Sequence, residues 1–82
     1  MNKQRREALK KVVGILETAY AELDGLKEEE QEAFDNLSEG LQQSERGQQW
    51  ENNVSQMQEA LDNIESAKDS TQHAIDCCDG VE

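Results

Sequence analysis

The chain has 82 residues, of which 34% are hydrophobic and 33% charged, with three aromatic residues and no proline. This length allows one domain at most, and the composition is typical of long amphipathic helices rather than of a compact globule. The formal net charge of −11 argues against nucleic acid as a direct ligand and favours basic proteins as partners.

The first predicted element is a helix over about residues 3–35. Its apolar residues recur at gaps of three and four, as in the a and d positions of a heptad repeat, and only Glu30 breaks the pattern. The predicted stripe consists of Leu9, Val12, Leu16, Ala19, Leu23, Leu26, Ala33 and Leu37. Val13, Tyr20 and Phe34 lie beside it and widen it beyond a simple coiled-coil seam.

A connection is predicted at about residues 36–43, where residues that favour turns and helix caps cluster. Ser44 followed by Glu45 predicts an N-cap with an acid in the first turn, which begins a second helix over about residues 44–78. The apolar stripe of this helix again has gaps of four and three. It consists of Trp50, Val54, Met57, Leu61, Ile64, Lys68, Thr71, Ile75 and Cys78.

Two helices of about 50 Å joined by a short connection are expected to run antiparallel. The predicted fold is therefore all-α: a coiled-coil-like, antiparallel two-helix hairpin that forms a single domain, residues 1–82, with Leu37 and Leu41 folded back against its end. Because the apolar stripe is wider than one opposing helix covers, we expect a homodimer or larger homo-oligomer that completes a four-helix bundle. The predicted self-association seam contains Leu9, Leu16, Leu23, Leu26, Trp50, Val54, Met57, Leu61, Ile64 and Ile75.

The segment EEEQEAFDNLSEGLQQSERG, residues 28–47, resembles a group of short acidic proteins, mostly uncharacterised, that phages and mobile elements of Firmicutes and gut bacteria encode. In that group the block EEEQEAFDNL, a turn of the pattern P/S-E-x-L-Q and the block SERG precede a second helix rich in Ala, Glu and Asp. Ser38 stands here where proline is usual. The resemblance spans nearly the whole chain and implies a helical hairpin and a phage-type setting, but it implies no activity.

Residue types that serve catalysis or metal binding occur without the arrangements that such chemistry needs. His73 and Cys77, together with Asp69 and Asp76, could hold zinc in principle, yet a second closely spaced ligand pair is missing, so we interpret them as surface residues. Carboxylates are abundant, but two solvated helices offer no dry cleft for general acid–base work. The sequence predicts a non-enzymatic protein without a cofactor or metal.

Acidic residues form rows on the outward sides of both predicted helices, and we predict that these rows bind a partner. The residues are Glu17, Asp24, Glu28, Glu32 and Asp35 on the first helix and Asp62, Asp69 and Asp76 on the second. Such rows either keep a helix soluble or present a ladder of negative charge to a basic groove.

The basic residues are concentrated at one end. Residues 1–13 hold five cations and one acid, a net charge of +4, whereas residues 14–82 hold three cations and 18 acids, a net charge of −15. In an antiparallel hairpin the basic end is expected to lie beside the acids near the other terminus, within one chain or across a dimer. These acids are Asp69, Asp76, Asp79 and Glu82.

Two classes of function stay open. The first is an acidic interaction module that occupies a basic, nucleic-acid-binding surface of a host protein; in a phage setting this is an anti-defence factor, such as an anti-CRISPR-like inhibitor. The second is a structural or regulatory oligomerisation module whose charge serves only solubility. Metal or redox sensing through His73, Cys77 and Cys78 is a third hypothesis.

Trp50 is either a core residue or an anchor for a partner.

The expected compartment is the cytoplasm, which is the host cell's cytoplasm if the protein is phage-encoded. No apolar run reaches the ~20 residues of a membrane-spanning helix, and the first residues lack the apolar region of a signal peptide. Cys77 and Cys78 are neighbours, so they would project about 100° apart from a helix and form no disulfide framework. Reduced thiols fit a cytosolic protein without membrane contact.

Overall fold

The computed structural model describes residues 1–77, and these residues form three helices without any strand. The helices are α1 (Lys3–Asp35), α2 (Glu39–Gln42) and α3 (Glu45–Cys77). The predicted all-helical class is confirmed for this part of the chain. The single turn of α2 lies inside the predicted connection, residues 36–43, while Cys78, where the second helix was expected to end, lies outside the described residues.

Helices α1 and α3 lie alongside each other. Each has 33 residues, which corresponds to a length of about 50 Å. The molecule measures 62 × 15 × 12 Å, which is too short for the two helices to follow each other end to end. A hydrogen bond joins them directly, since Lys27 Nζ donates to Gln58 Oε1 at 2.8 Å.

The core is thin, because each long helix covers the other on one side only. Among the described apolar residues, Leu61 and Ile75 are buried, at 1% and 4% exposure. On α1 the face toward α3 consists of half-buried residues that follow one another at gaps of four and three, which is a regular heptad. This packed stripe contains Leu9, Val13, Leu16, Tyr20, Leu23, Lys27, Glu30 and Phe34.

The packed stripe corrects the predicted register of α1. Val12 and Leu26, which the apolar pattern assigns to the a and d positions, are 41% and 54% exposed. The three residues that were expected only to flank the stripe are half-buried members of it: Val13, Tyr20 and Phe34. The predicted and packed stripes share Leu9, Leu16 and Leu23, but the face toward α3 is rotated away from Val12 and Leu26.

The physical reason for the different register is that two charged residues occupy the packed stripe. Lys27 and Glu30 are half-buried, and such side chains can pack their aliphatic stems while the charged group reaches the edge of the interface. The Lys27 ammonium group does this when it bonds to Gln58. A pattern of apolar residues alone selects Leu26 in place of its neighbour Lys27 and treats Glu30 as an interruption.

Side-chain hydrogen bonds hold the connection to both long helices. Gln42 Nε2 donates to the carbonyl oxygens of Phe34 at 3.1 Å and of Leu37 at 3.2 Å, and so it satisfies acceptors where α1 ends. At the start of α3, the backbone N–H of Gly47 donates to Ser44 Oγ at 3.2 Å. The predicted N-cap at Ser44 is thereby confirmed.

Gly47 marks the closest approach between α3 and the connection. It is buried, and a Cβ atom at this position would meet the backbone carbonyl oxygens of Leu41 and Gln42 well inside van der Waals distance. We expect Gly47→Ala to destabilise the protein by about 1–3 kcal/mol, as overpacking does, although Ala is the better helix former by about 1 kcal/mol. Urea unfolding followed by circular dichroism measures the change.

Gly25→Ala is the matched control, because Gly25 also lies in a long helix but a Cβ there meets nothing within 4 Å. This variant should gain up to about 1 kcal/mol in free energy of unfolding. If Gly47→Ala were stabilised as much as Gly25→Ala, the close packing of α3 against the connection would be refuted.

Candidate interaction surfaces

The acidic row predicted on α1 is largely open to solvent. Its members follow one another at intervals of one or two helical turns. Glu17, Glu28, Glu32 and Asp35 are exposed, and Asp24 is half-buried. The carboxylate of Asp35 accepts a hydrogen bond from Gln31 Nε2 at 3.0 Å. We call these five residues the α1 acidic row.

A second row of carboxylates runs along α3. Asp62, Asp69 and Asp76 are exposed and recur every seven residues, which places them on one face about two turns apart. Gln58 Nε2 donates to Asp62 Oδ1 at 3.0 Å, and Gln72 Nε2 donates to Asp76 Oδ1 at 3.1 Å. Neutral amides orient these carboxylates without cancelling their charge. We call these three aspartates the α3 acidic row.

Two ion pairs use acids outside these two rows. Lys10 Nζ lies 3.4 Å from Glu7 Oε1, and Lys68 Nζ lies 3.8 Å from Glu65 Oε1, each pair within one helix. Surface pairs of this kind contribute little to stability. The expected pairing of the basic N-terminal residues with Asp79 and Glu82 concerns positions outside the described residues.

The predicted self-association seam falls into three groups of residues. Leu61 and Ile75 are buried. Seven others are half-buried: Leu9, Leu16, Leu23, Trp50, Val54, Met57 and Ile64. Leu26 is exposed and lies away from the face that packs on α3.

Leu26 belongs to a second stripe on α1, beside the packed stripe, in which six of eight residues are exposed and Met1 and Ala19 are half-buried. Ile15 in this stripe is 66% exposed, more than any other large apolar residue described. The stripe again has gaps of four and three, over Met1, Arg5, Ala8, Val12, Ile15, Ala19, Glu22 and Leu26. We call these eight residues the uncovered stripe. Sequence reasoning missed Ile15, although its heptad spacing from Ala8 and Val12 could have revealed it.

Two shallow grooves accompany the uncovered stripe. One has a volume of about 340 Å³ and is lined by Met1, Arg5, Ala8, Leu9 and Val12. The other has a volume of about 420 Å³ and is lined by Lys11, Gly14, Ile15, Thr18, Ala19 and Glu22. These grooves give the face ridges and hollows. Helices pack against each other by fitting ridges of side chains into such grooves.

Trp50 lies beside the connection, at the end of the molecule where α3 begins. It is half-buried and lines a cavity of about 80 Å³ together with Leu37, Leu41 and Gly47. Its Nε1 is buried without a hydrogen-bond partner in the described part of the chain. Leu41, expected to cover this end, is 50% exposed, so the apolar surface around Trp50 is partly open.

His73 and Cys77 contact each other, with Cys77 Sγ at 3.3 Å from His73 Nε2. Side chains four residues apart on a helix are ordinary neighbours. Within residues 1–77, no three side chains of the kinds that ligate metals come together.

Across the same range, neither long helix contains an apolar stretch sufficient to cross a membrane.

Comparison of the chain with protein-family models, with curated proteins and with solved structures gives no match. The resemblance of residues 28–47 to phage-encoded acidic proteins therefore depends on the sequence pattern alone. The acidic rows and the uncovered stripe are the features from which a function must be inferred.

Proposed function

We propose that the protein is a non-enzymatic interaction module whose acidic rows occupy a basic surface of another protein. The observation that carries this proposal is the exposure of the carboxylates, since only Asp24 among the eight residues of the two rows is half-buried. A cationic groove would meet several carboxylates at once, which favours fast and specific association. The net charge of −11 exceeds the magnitude of about 2–8 that keeps a small domain soluble.

The scaffold that we propose for these rows is an antiparallel hairpin of α1 and α3. The connection, residues 36–44, spans at most about 35 Å even when fully extended, whereas a parallel arrangement requires a return of about 50 Å along α1. Lys27 contacts Gln58, and Glu30 lines a groove with Trp50. Later positions on α1 thus lie near earlier positions on α3, as an antiparallel pair requires.

We further propose that the hairpin self-associates. A thin core with few buried side chains leaves a small domain only marginally stable, and such chains gain stability from association. The uncovered stripe supplies apolar surface for it. The alternative function, an oligomerisation module whose charge serves only solubility, is favoured by this same surface.

The resemblance of residues 28–47 to phage-encoded proteins supports a narrower form of the proposal. In this form the protein is an anti-defence factor, anti-CRISPR-like for example, that acts in the host cytoplasm by blocking a nucleic-acid-binding surface of a host protein. Nucleic acid itself would be repelled by the acidic rows.

The test is capture of basic proteins from a nuclease-treated bacterial lysate on the immobilised chain. We expect captured proteins to be released by duplex DNA and by salt, because the Debye length falls from about 10 Å at 0.1 M to about 3 Å at 1 M. Reversal of Glu28, Glu32 and Asp35 together to Lys should abolish capture and leave the helical circular dichroism signal intact.

The matched control reverses Glu45, Glu51 and Glu59, which are exposed and lie outside the rows. It changes the net charge equally and should retain most of the capture. If both variants lose capture equally, capture depends on the total charge of the chain and not on the α1 acidic row. If capture is independent of salt concentration and persists after reversal of both rows, the proposal is refuted. The alternative function, an oligomerisation module, would then be favoured.

A further inference from the structure

We propose that the uncovered stripe of α1 is the docking surface for a second copy of this chain, with the two α1 helices packed antiparallel. This inference rests on the self-association in the proposed function and specifies its face and direction. The order of residues along the stripe identifies a second copy as the partner, because the stripe is complementary to the same stripe laid in the opposite direction.

The centre of the stripe is apolar and symmetric. The eight positions are arranged evenly about the midpoint between Val12 and Ile15, at gaps that alternate between four and three. When two stripes are laid antiparallel about this midpoint, Val12 faces Ile15 of the partner subunit. One step outward, Ala8 faces Ala19 of the partner subunit, and two small residues let the helices approach closely.

The outer positions carry opposite charges that meet only in the antiparallel direction. Arg5 and Glu22 are both exposed, and Arg5 faces Glu22 of the partner subunit on each side of the midpoint. Beyond them, Met1 faces Leu26 of the partner subunit. A parallel pair would instead place Arg5 against Arg5 and Glu22 against Glu22, and juxtaposed like charges are unfavourable at an interface.

The two grooves follow each other along the stripe, the first before the midpoint and the second across it and beyond. One is lined by residues from Met1 to Val12 and the other by residues from Lys11 to Glu22. In the antiparallel pair each groove receives side chains from the partner's stripe, as knobs enter holes in a coiled coil.

The acidic row of α1 stays free in this arrangement. At 100° per residue, Glu17, Glu28 and Asp35 project from the side of the helix opposite to Ala8, Ala19 and Leu26. A dimer built through the uncovered stripe therefore displays two copies of the row on its outer surface.

An anionic lipid surface is the other occupant that this face could attract, because Arg5 lies in its first half and Lys11 lines the adjoining groove. The second half argues against lipid, since Glu22 lies in the stripe and Glu29 follows one turn after Leu26. A negatively charged surface would repel this half, whereas a second copy supplies Arg5.

Charge reversal at the two ends of the stripe tests the inference by sedimentation equilibrium. Arg5→Glu and Glu22→Arg should each raise the dimer dissociation constant by about tenfold, because two attractive contacts per dimer become repulsive. The double variant Arg5→Glu/Glu22→Arg restores both contacts and should return the constant to within about threefold of the unmodified chain. An equimolar mixture of the two single variants should likewise form a heterodimer.

Lys3→Glu is the matched control, because Lys3 is exposed and lies outside the stripe, so the dissociation constant should hardly change. If Arg5→Glu weakens the dimer no more than this control, or if the double variant fails to restore it, the assigned face and direction are overturned. An unmodified chain that stays monomeric and binds phosphatidylserine vesicles would assign the face to lipid. An unmodified chain that stays monomeric but still captures basic proteins rejects this inference alone. A dimer that responds to the charge reversals as expected but captures no basic protein rejects the acidic-row proposal alone.

Discussion

Leu61→Asp is expected to leave the chain largely unfolded at room temperature. Leu61 is 1% exposed, so the substitution removes the best-buried apolar side chain described and puts an unpaired carboxylate in its place. Truncation of a buried Leu alone costs about 2–5 kcal/mol, and a buried, unpaired charge costs more. A domain of this size has a free energy of unfolding of about 4–12 kcal/mol. Circular dichroism at 222 nm should show most of the helical signal lost.

Two further variants separate burial from the effect of a new charge. Leu61→Ala should lower the melting temperature but keep the helical signal. Ser66→Asp adds the same charge at an exposed position of α3 and should change little, because surface substitutions usually stay within about 0.5 kcal/mol. A folded Leu61→Asp variant would contradict the packing of α1 on α3.

Ile15→Asp is expected to have the second largest effect, on assembly instead of folding. Ile15 is 66% exposed in the single chain, so the carboxylate is solvated in the monomer and the helices should form. In the proposed dimer it would be buried beside the midpoint, on both copies, against Val12 of the partner subunit. Light scattering at micromolar concentrations should report a monomer whose helical signal at 222 nm persists.

Leu41→Asp is the control for Ile15→Asp. Leu41 is 50% exposed, which is comparable, but it lies at the connection and outside the uncovered stripe. This variant should remain dimeric. If Leu41→Asp dissociates the assembly and Ile15→Asp does not, copies associate through the surface around Trp50, and the uncovered stripe has another role.

The helices were predictable because their signals are local. Gaps of three and four in the apolar residues indicate two long helices, and turn-forming residues followed by Ser44 indicate where the second begins. The structure has α1 at Lys3–Asp35 and caps α3 at Ser44. Hydrogen bonds within a few residues of sequence decide these features, so no knowledge of the partner helix was needed.

The face of α1 toward α3 was not predictable from the same pattern, because two heptads overlap on this helix. Leu9 and Val13 belong to the first of them. Ala8 and Val12 belong to the second, which is shifted by one residue. The first is interrupted by Lys27 and Glu30, so apolar residues alone favour a mixture of both. Only the position of α3 decides which heptad is packed.

Two residues of the connection escaped the sequence reasoning for a similar reason. Gln42 stabilises the end of α1 through carbonyl oxygens five and eight residues earlier in the chain, and no local motif marks such a contact. Gly47 resembles any turn-forming glycine, yet its role comes from the carbonyl groups of Leu41 and Gln42 that approach it. Both roles depend on the path of the folded connection.

The α1 acidic row and the uncovered stripe are separate surfaces, and this separation makes the functional proposal testable in parts. The α1 acidic row lies about opposite the uncovered stripe on the helix. Reversal of the row should therefore leave assembly intact, and Ile15→Asp should leave each single chain with its carboxylates exposed. A partner that needs two copies of the row would lose affinity in both cases.

Sedimentation equilibrium of the unmodified chain decides whether the helical pair self-associates. We expect a species of twice the chain mass of 9.3 kDa at micromolar concentrations, with a helical circular dichroism spectrum and a melting temperature that rises with protein concentration. A helical monomer of 9.3 kDa, with a high melting temperature that is independent of concentration, would contradict this expectation.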